Sequence, residues 1–312
     1  MREYPGSFSE RDICIKSPAT ITEQLKILKS RGLVIDDVES ARKTLETINY
    51  YRLVHYFAVF LQKSGKYIDG THFEDGVRLY NFDKKLRSIV LIALEEIEIA
   101  ARAAISNYHA TRYGTLGYLQ AESFDRKHNH RGFMNKVGNI ISKNAELSFV
   151  RHHNKKYGGT FPLWVLMEMF SFGTLAVFFA DLKIVDKKEI AEYYFGCDSR
   201  NVENWLENLA VLRNRCAHYN RMYGNPLPGE IRDAKTKKPS SLFEHMLAAR
   251  ELRKCSDNVM GESWGKSFSL EMQELFDDYK DLVNPELLGF PKDFKKYFTI
   301  QEEFYDEKSQ LH

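Results

Sequence analysis

A chain of 312 residues with 43% hydrophobic content can bury a substantial core as one large or two small domains, and its formal charge of +2 by itself predicts no nucleic-acid partner. Cys14, Cys197, Cys216 and Cys255 are scattered without a C-x-x-C pair, which argues for a reducing compartment and against a structural zinc site. Met1 to Pro18 carries charges throughout and no apolar h-region, so no secretory leader is expected and the expected location is cytoplasmic.

Helical patterns run almost the whole length. Thr20-x-x-Glu23 is a capping box opening a short helix that ends before Gly32, and Asp36-Asp37 opens another toward Asn49. Tyr50, Tyr51, Tyr56 and Phe57 have the spacing of a buried helix face, although aromatics of this kind also stack unpaired bases. Thr71-x-x-Glu74 then caps a long helix in which Val77, Phe82, Leu86, Val90, Leu94 and Ile97 keep an apolar face as far as Tyr113. Glu95, Glu98 and Arg102 share one side of that helix. Two readings stand for them: a solvated ion-pair set, or a brace for an arginine elsewhere.

Between Arg126 and Lys156 the cations Arg126, Lys127, Arg131, Lys136, Lys143, Arg151, Lys155 and Lys156 face one acid, Glu146. This reads as a phosphate-contacting patch, against the alternative of a solvated face. His128, His130, His152 and His153 lie among them, but no carboxylate or thiolate is interleaved at ligand spacing, so no metal or other cofactor is expected. Leu163 to Leu182 is the most membrane-like stretch. Glu168, Ser171, Gly173, Thr174 and Asp181 interrupt it, which predicts a buried helix pair bent near Ser171 and no membrane span. Glu168 in so apolar a block needs a partner, either a core-edge arginine or a ligand. Asp186-x-x-Glu189 reads as a capping box before a helix ending near Gly196, and Ser199 as the N-cap of the next.

That next helix carries the most informative pattern. Val202, Trp205, Leu209, Leu212, Cys216, Tyr219 and Tyr223 recur at spacings of three and four, a stripe that keeps one face buried. On this helix Asn214, His218 and Arg221 lie roughly opposite the stripe and Arg213 projects from its edge, while Ala210 and Ala217 leave room for a close neighbour. The set suits cleavage of RNA by its own 2′-hydroxyl. An imidazole exchanges protons with the attacking or leaving oxygen, guanidinium forks match the phosphate oxygens that gather charge, and Asn214 orients the ring or donates to the phosphate. A solvated polar face explains the spacing equally well. Beyond the motif, Gly224-Asn225-Pro226-Leu227-Pro228-Gly229 stops the helix, amphipathic helices follow over Ser241 to Leu252 and Phe268 to Leu282, joined by a loop over Gly261 to Gly265, and acids concentrate at Glu271 to Asp281 and Glu302 to Glu307. Nucleotide-loop, dinucleotide-fold, zincin and nucleophile-elbow motifs are missing, and no strand alternation is sustained, so the chain is expected to be all-α.

The segment Leu209 to Arg221 resembles the signature of the Abi-like abortive-infection family of bacterial phage-defence proteins, the AbiD/AbiF group. Ordered blocks accompany it: Ile48 to Leu53, Phe73 to Arg87, Ala93 to Arg102 and Phe161 to Leu175, so that the likeness spans roughly residues 17 to 225. That family is similar to HEPN ribonucleases, whose motif is an arginine followed after four to six residues by a histidine. Arg213 and His218 satisfy it with four residues between them, and Tyr219 stands where members often carry a second histidine. The resemblance implies a HEPN-like helical domain over residues 1–225 with a C-terminal helical extension over 226–312 packed on it. It implies a metal-independent endoribonuclease with Arg213, Asn214 and His218 catalytic, and with Arg221, Arg126, Lys127, Arg131, Lys155 and Lys156 holding substrate RNA. Because one HEPN motif occurs in the chain, a homodimer is expected to complete the site. A structured non-coding RNA is the partner expected to restrain it. A non-catalytic RNA-binding protein is the alternative.

Overall fold

The computed structural model describes residues 17–232, 240–254 and 263–298. Cys14, Cys255, the first two residues of the expected Gly261 to Gly265 loop and the acidic run Glu302 to Glu307 lie outside the described residues, whereas Trp264 and Gly265 are already helical and correct the expected helix start at Phe268. The described chain is all-α, with isolated β-bridges and no strand. By compactness it divides into residues 1–81 and 82–312, and the sequence-based boundary at 225 falls inside the second unit.

In the first unit, α1 (Ile21–Ser30) opens on the expected capping box: the Thr20 side chain accepts from the Glu23 N–H, and the Glu23 carboxylate accepts from the Thr20 N–H at 2.7 Å. Helix α2 (Val38–Thr47) is capped by Asp37, and α3 (Tyr50–Phe57) by Asn49. Leu28, Leu45, Leu53, Phe57, Tyr67 and Phe73 form the core of this unit. Tyr56 and Phe57 are therefore core, whereas Tyr51 is exposed. A short parallel bridge, Val34 N–H to Thr71 O and Phe73 N–H to Val34 O, aligns the start of α4 (Phe73–Tyr113). The cap is His72, whose N–H donates to Asp75 Oδ2 at 2.8 Å, so the helix starts one residue later than Thr71-x-x-Glu74 predicts. Gly76 is required here, because a Cβ would fall 2.0 Å from the Phe57 ring.

In the second unit, α4 continues to Tyr113 and is followed by α5 (His130–Lys143), α6 (Ser148–Tyr157), α7 (Leu163–Met167), α8 (Phe172–Ala180) and α9 (Ile184–Ile190). The apolar stretch over residues 163–182 breaks as expected, with Ser171 capping α8 through the Thr174 N–H. Among the described residues no helix is long and apolar enough to cross a membrane. The capping role expected of Asp186 is not found. Its carboxylate is fully buried and accepts from the hydroxyls of Tyr108 at 3.0 Å and Tyr113 at 2.6 Å, with Arg112 at 3.2 Å. These partners are far away in sequence and satisfy it better than one exposed N–H. A π-helical turn, Ala191–Phe195, leads to Gly196 in the left-handed region, where the expected stop falls. Helix α10 (Ser199–Ala217) follows, capped by Asp198 and not by Ser199. Its apolar face packs on α8 and α11 (Leu242–Arg253), and α12 (Trp264–Asp278) is followed by short 3₁₀ turns at Pro285–Leu288 and Phe294–Tyr297. Cys197 and Cys216 are free thiols, and burial pushes Cys216 up to about 12, which leaves it unreactive.

Candidate functional site

Val202, Trp205, Leu209, Leu212 and Cys216 are buried along one side of α10, so the stripe orients the helix as its periodicity requires. Tyr219 is not part of it and is 66% exposed. The helix also ends sooner than the Gly-Pro run suggests. Its last residue is Ala217, His218 is the C-cap, and Tyr219 adopts φ 60°, in the left-handed region. The Asn220 N–H returns to Arg215 O at 3.0 Å and the Tyr219 N–H to Cys216 O at 3.1 Å, the two bonds of a Schellman stop. Arg221 is thus beyond the helix, half-buried and donating to Gly224 O at 3.3 Å, and the expectation that it shares a helical face with His218 is corrected. Ala210 is buried, so only half-buried Ala217 offers room beside the motif.

Arg213 is partly exposed, and Asn214 and His218 are exposed. Arg213 is braced from α4: its Nε lies 3.7 Å from Glu98 Oε2, and its Nη1 donates to Asn214 Oδ1 at 3.4 Å. Glu98 in turn accepts from Arg102 at 2.8 Å, and Arg102 donates to the carbonyls of Met167 at 2.8 Å and Phe170 at 3.0 Å. Of the two readings of Glu98 and Arg102, the brace holds, and the intrahelical pair is part of it. The pair is largely shielded, with side chains 13% and 12% exposed, so the interaction is less screened than a surface bridge.

A second set of contacts holds the backbone that follows the histidine. Asp83, fully buried on α4, pairs with Arg87 and accepts from the N–H groups of Met222 at 3.0 Å and Tyr223 at 2.8 Å. Arg87 also donates to Asn220 O at 3.4 Å. Arg215 reaches Pro226 O at 3.2 Å. Residues 220–226 are therefore tied down directly after His218. Sequence reasoning missed Asp83 and Arg87 as site residues. The available signal was an Asp and an Arg four apart inside an apolar stripe, where charges are rare unless paired.

Arg126, Lys127, Arg131, Lys155 and Lys156 are exposed on α5, on α6 and on the turn before α5. No hydrogen bond or ion pair joins them to Arg213, Asn214 or His218. The histidines among them have structural partners. His128 stacks on Phe124 and bonds Asp181 Oδ2 at 2.9 Å, His130 donates to Leu119 O at 3.0 Å, and His153 donates to Phe149 O at 2.8 Å. Among the described residues, the group with mutually close metal-ligand atoms is instead Asp36, His72 and Glu74 in the first unit, within 4.8 Å of one another. Glu168 is exposed and forms no ion pair among the described residues, contrary to the expected arginine partner.

A family model described as Abi-like protein matches residues 43–224, more than half of the chain. No curated protein matches the chain. No solved structure matches it.

Proposed function

We propose that this chain, which belongs to the Abi-like protein family, is a metal-independent HEPN-type endoribonuclease of abortive-infection phage defence. The observation that carries the reading is an exposed His218 at the end of α10, about 1.4 turns after an Arg213 guanidinium that is braced by Glu98.

His218 exchanges the proton of the 2′-hydroxyl or of the leaving oxygen, and Arg213 stabilises the charge that gathers on the phosphate. Asn214 donates to the same phosphate or holds the ring. The products carry 2′,3′-cyclic phosphate and 5′-hydroxyl ends. One imidazole cannot be both base and acid at the same moment, so the second comes from the His218 of a partner copy across a two-fold axis. The exposed cations of α5 and α6 hold the RNA electrostatically, and a cognate structured non-coding RNA is the restraining partner.

The test is cleavage of cellular RNA by purified protein in EDTA, with the ends mapped. His218→Ala and Arg213→Ala are expected to lower the rate by about 10²–10⁴-fold while RNA affinity persists. Salt-dependent RNA binding with no cyclic-phosphate ends from the wild type, with and without phage infection, would replace the enzyme with a non-catalytic RNA-binding protein.

A further inference from the structure

Trp164, the second residue of α7, is 46% exposed, whereas Trp205 and Trp264 are 7% and 5% exposed. It lines a cavity of about 610 Å³ whose other walls are α4, through Arg102 and Asn107, and α6, through Phe149 and His153. A half-exposed indole in a concave site leaves a large apolar face in water that a flat ligand would cover. The polar rim is free to bond such a ligand. Asn107 and Glu168 are exposed, and neither side chain makes a hydrogen bond among the described residues.

The cavity is coupled on one side to the candidate nuclease residues. Arg102, a lining residue, bonds Met167 O and Phe170 O, fixing the end of α7, and bonds Glu98, which faces Arg213. On its other side, the α6 wall carries Arg151, Lys155 and Lys156, all exposed, with Lys156 one turn beyond His153. An anionic ligand with flat aromatic units fits a stacking surface set between exposed cations and a braced guanidinium.

We infer that this cavity takes one unpaired nucleobase of a single-stranded RNA, stacked on Trp164 with its polar edge read by Asn107 and Glu168, and that the strand runs from α6 toward Arg213. The inference deepens the nuclease reading and rests on it for the choice of RNA. Base recognition at this cavity makes the substrate an unpaired loop or tail, since a duplex keeps its bases stacked.

The experiment uses full-length His218→Ala protein, so that binding is separated from cleavage, and a labelled mixed-sequence oligoribonucleotide, single-stranded or annealed to its complement. Single-stranded RNA is expected to quench the tryptophan emission, and the quench is expected to vanish in Trp164→Phe while affinity is largely kept. Trp164→Ala is expected to weaken single-stranded binding roughly tenfold or more and to leave duplex binding unchanged. Asn107→Ala and Glu168→Gln are expected to alter base preference. Wild-type affinity for single strands in Trp164→Ala would overturn the inference, and so would quenching by an apolar peptide but not by RNA. Quenching in a protein that never cleaves RNA leaves the cavity assignment standing and removes the nuclease. Cleavage of single strands by Trp164→Ala with an unchanged KM removes the cavity and leaves the nuclease.

Discussion

Tyr219 sits in a backbone conformation that side chains with a Cβ avoid, at a cost of about 1–2 kcal/mol. Its ring is mostly solvent-exposed, so burial returns little of that cost. The conformation is imposed by the Schellman bonds to Arg215 and Cys216 and by the anchoring of Met222 and Tyr223 on Asp83. Tyr219→Gly is expected to raise stability by about 1 kcal/mol, less the extra chain entropy of glycine in the unfolded state. Tyr219→Ala is expected to gain nothing, since it keeps a Cβ. Urea denaturation of the three proteins checks this, and equal midpoints for the glycine and alanine variants would remove the strain argument. A second residue-scale prediction concerns Glu98. Glu98→Gln keeps the shape of the side chain and discharges the brace on Arg213 and Arg102. Because a small misplacement of a transition-state contact costs up to about 10²-fold, kcat for RNA cleavage is expected to fall tenfold to a hundredfold with KM little changed. A rise in KM alone would show that Glu98 serves binding and not the position of Arg213.

At the scale of elements, α4 supplies the supports and α10, with its C-cap His218, the proposed catalytic groups. Asp83 and Arg87 are 0% and 5% exposed at the side chain, so neither charge can be removed alone without leaving the other in a low-dielectric site. Asp83→Ala is expected to cost about 3–5 kcal/mol, while Asp83→Ala combined with Arg87→Met costs less than the sum of the single changes. A double-mutant cycle by chemical denaturation measures the difference, and additive losses would mean the pair is not coupled. The same elements show what a sequence can reveal. The stripe from Val202 to Cys216 was legible because burial of one helix face imposes a period, and so was α4 to Tyr113 for the same reason. The stop at Ala217 was not, because Tyr219 carries none of the glycine signature of a left-handed cap. The anchoring of Met222 and Tyr223 by Asp83 was hidden too, since a bond across 139 residues leaves no local pattern. Of the candidate site, the choice of Arg213, Asn214 and His218 came from spacing and resemblance. The bracing of Arg213 by Glu98 is one of two readings the sequence allows, and the contact between α4 and α10 is what selects it.

At the scale of the second unit as a whole, the core beneath these helices contains a charge-sensitive point. His109 on α4 is fully buried among Tyr113, Phe124 and Phe178, and neither ring nitrogen has a hydrogen-bond partner. Burial pushes its pKa down to about 4. The buried Asp186 carboxylate opposes that shift, and Lys183 reinforces it. In the unfolded chain the ring titrates near its ordinary value of about 6.5. As pH falls from 6.5 toward 4, the unfolded state takes up a proton that the native state refuses, so stability is lost across that window and is present in full above it. The loss from this group is on the order of 3 kcal/mol. His245, also buried and also shifted down, adds a slope of the same sign, so the wild-type curve alone does not isolate His109. His109→Leu does, because it keeps a similar volume and removes both unpartnered nitrogens. The variant is expected to be more stable than the wild type at every pH below 6.5, with the gap widening down to about pH 4. Since Phe178 lies on α8, against which α10 packs, the wild type is also expected to lose the packing of α10 before the variant does on acidification. Denaturation midpoints at intervals from pH 7.5 to 4 test this, and parallel curves for the two proteins would show that His109 is protonated in the native core.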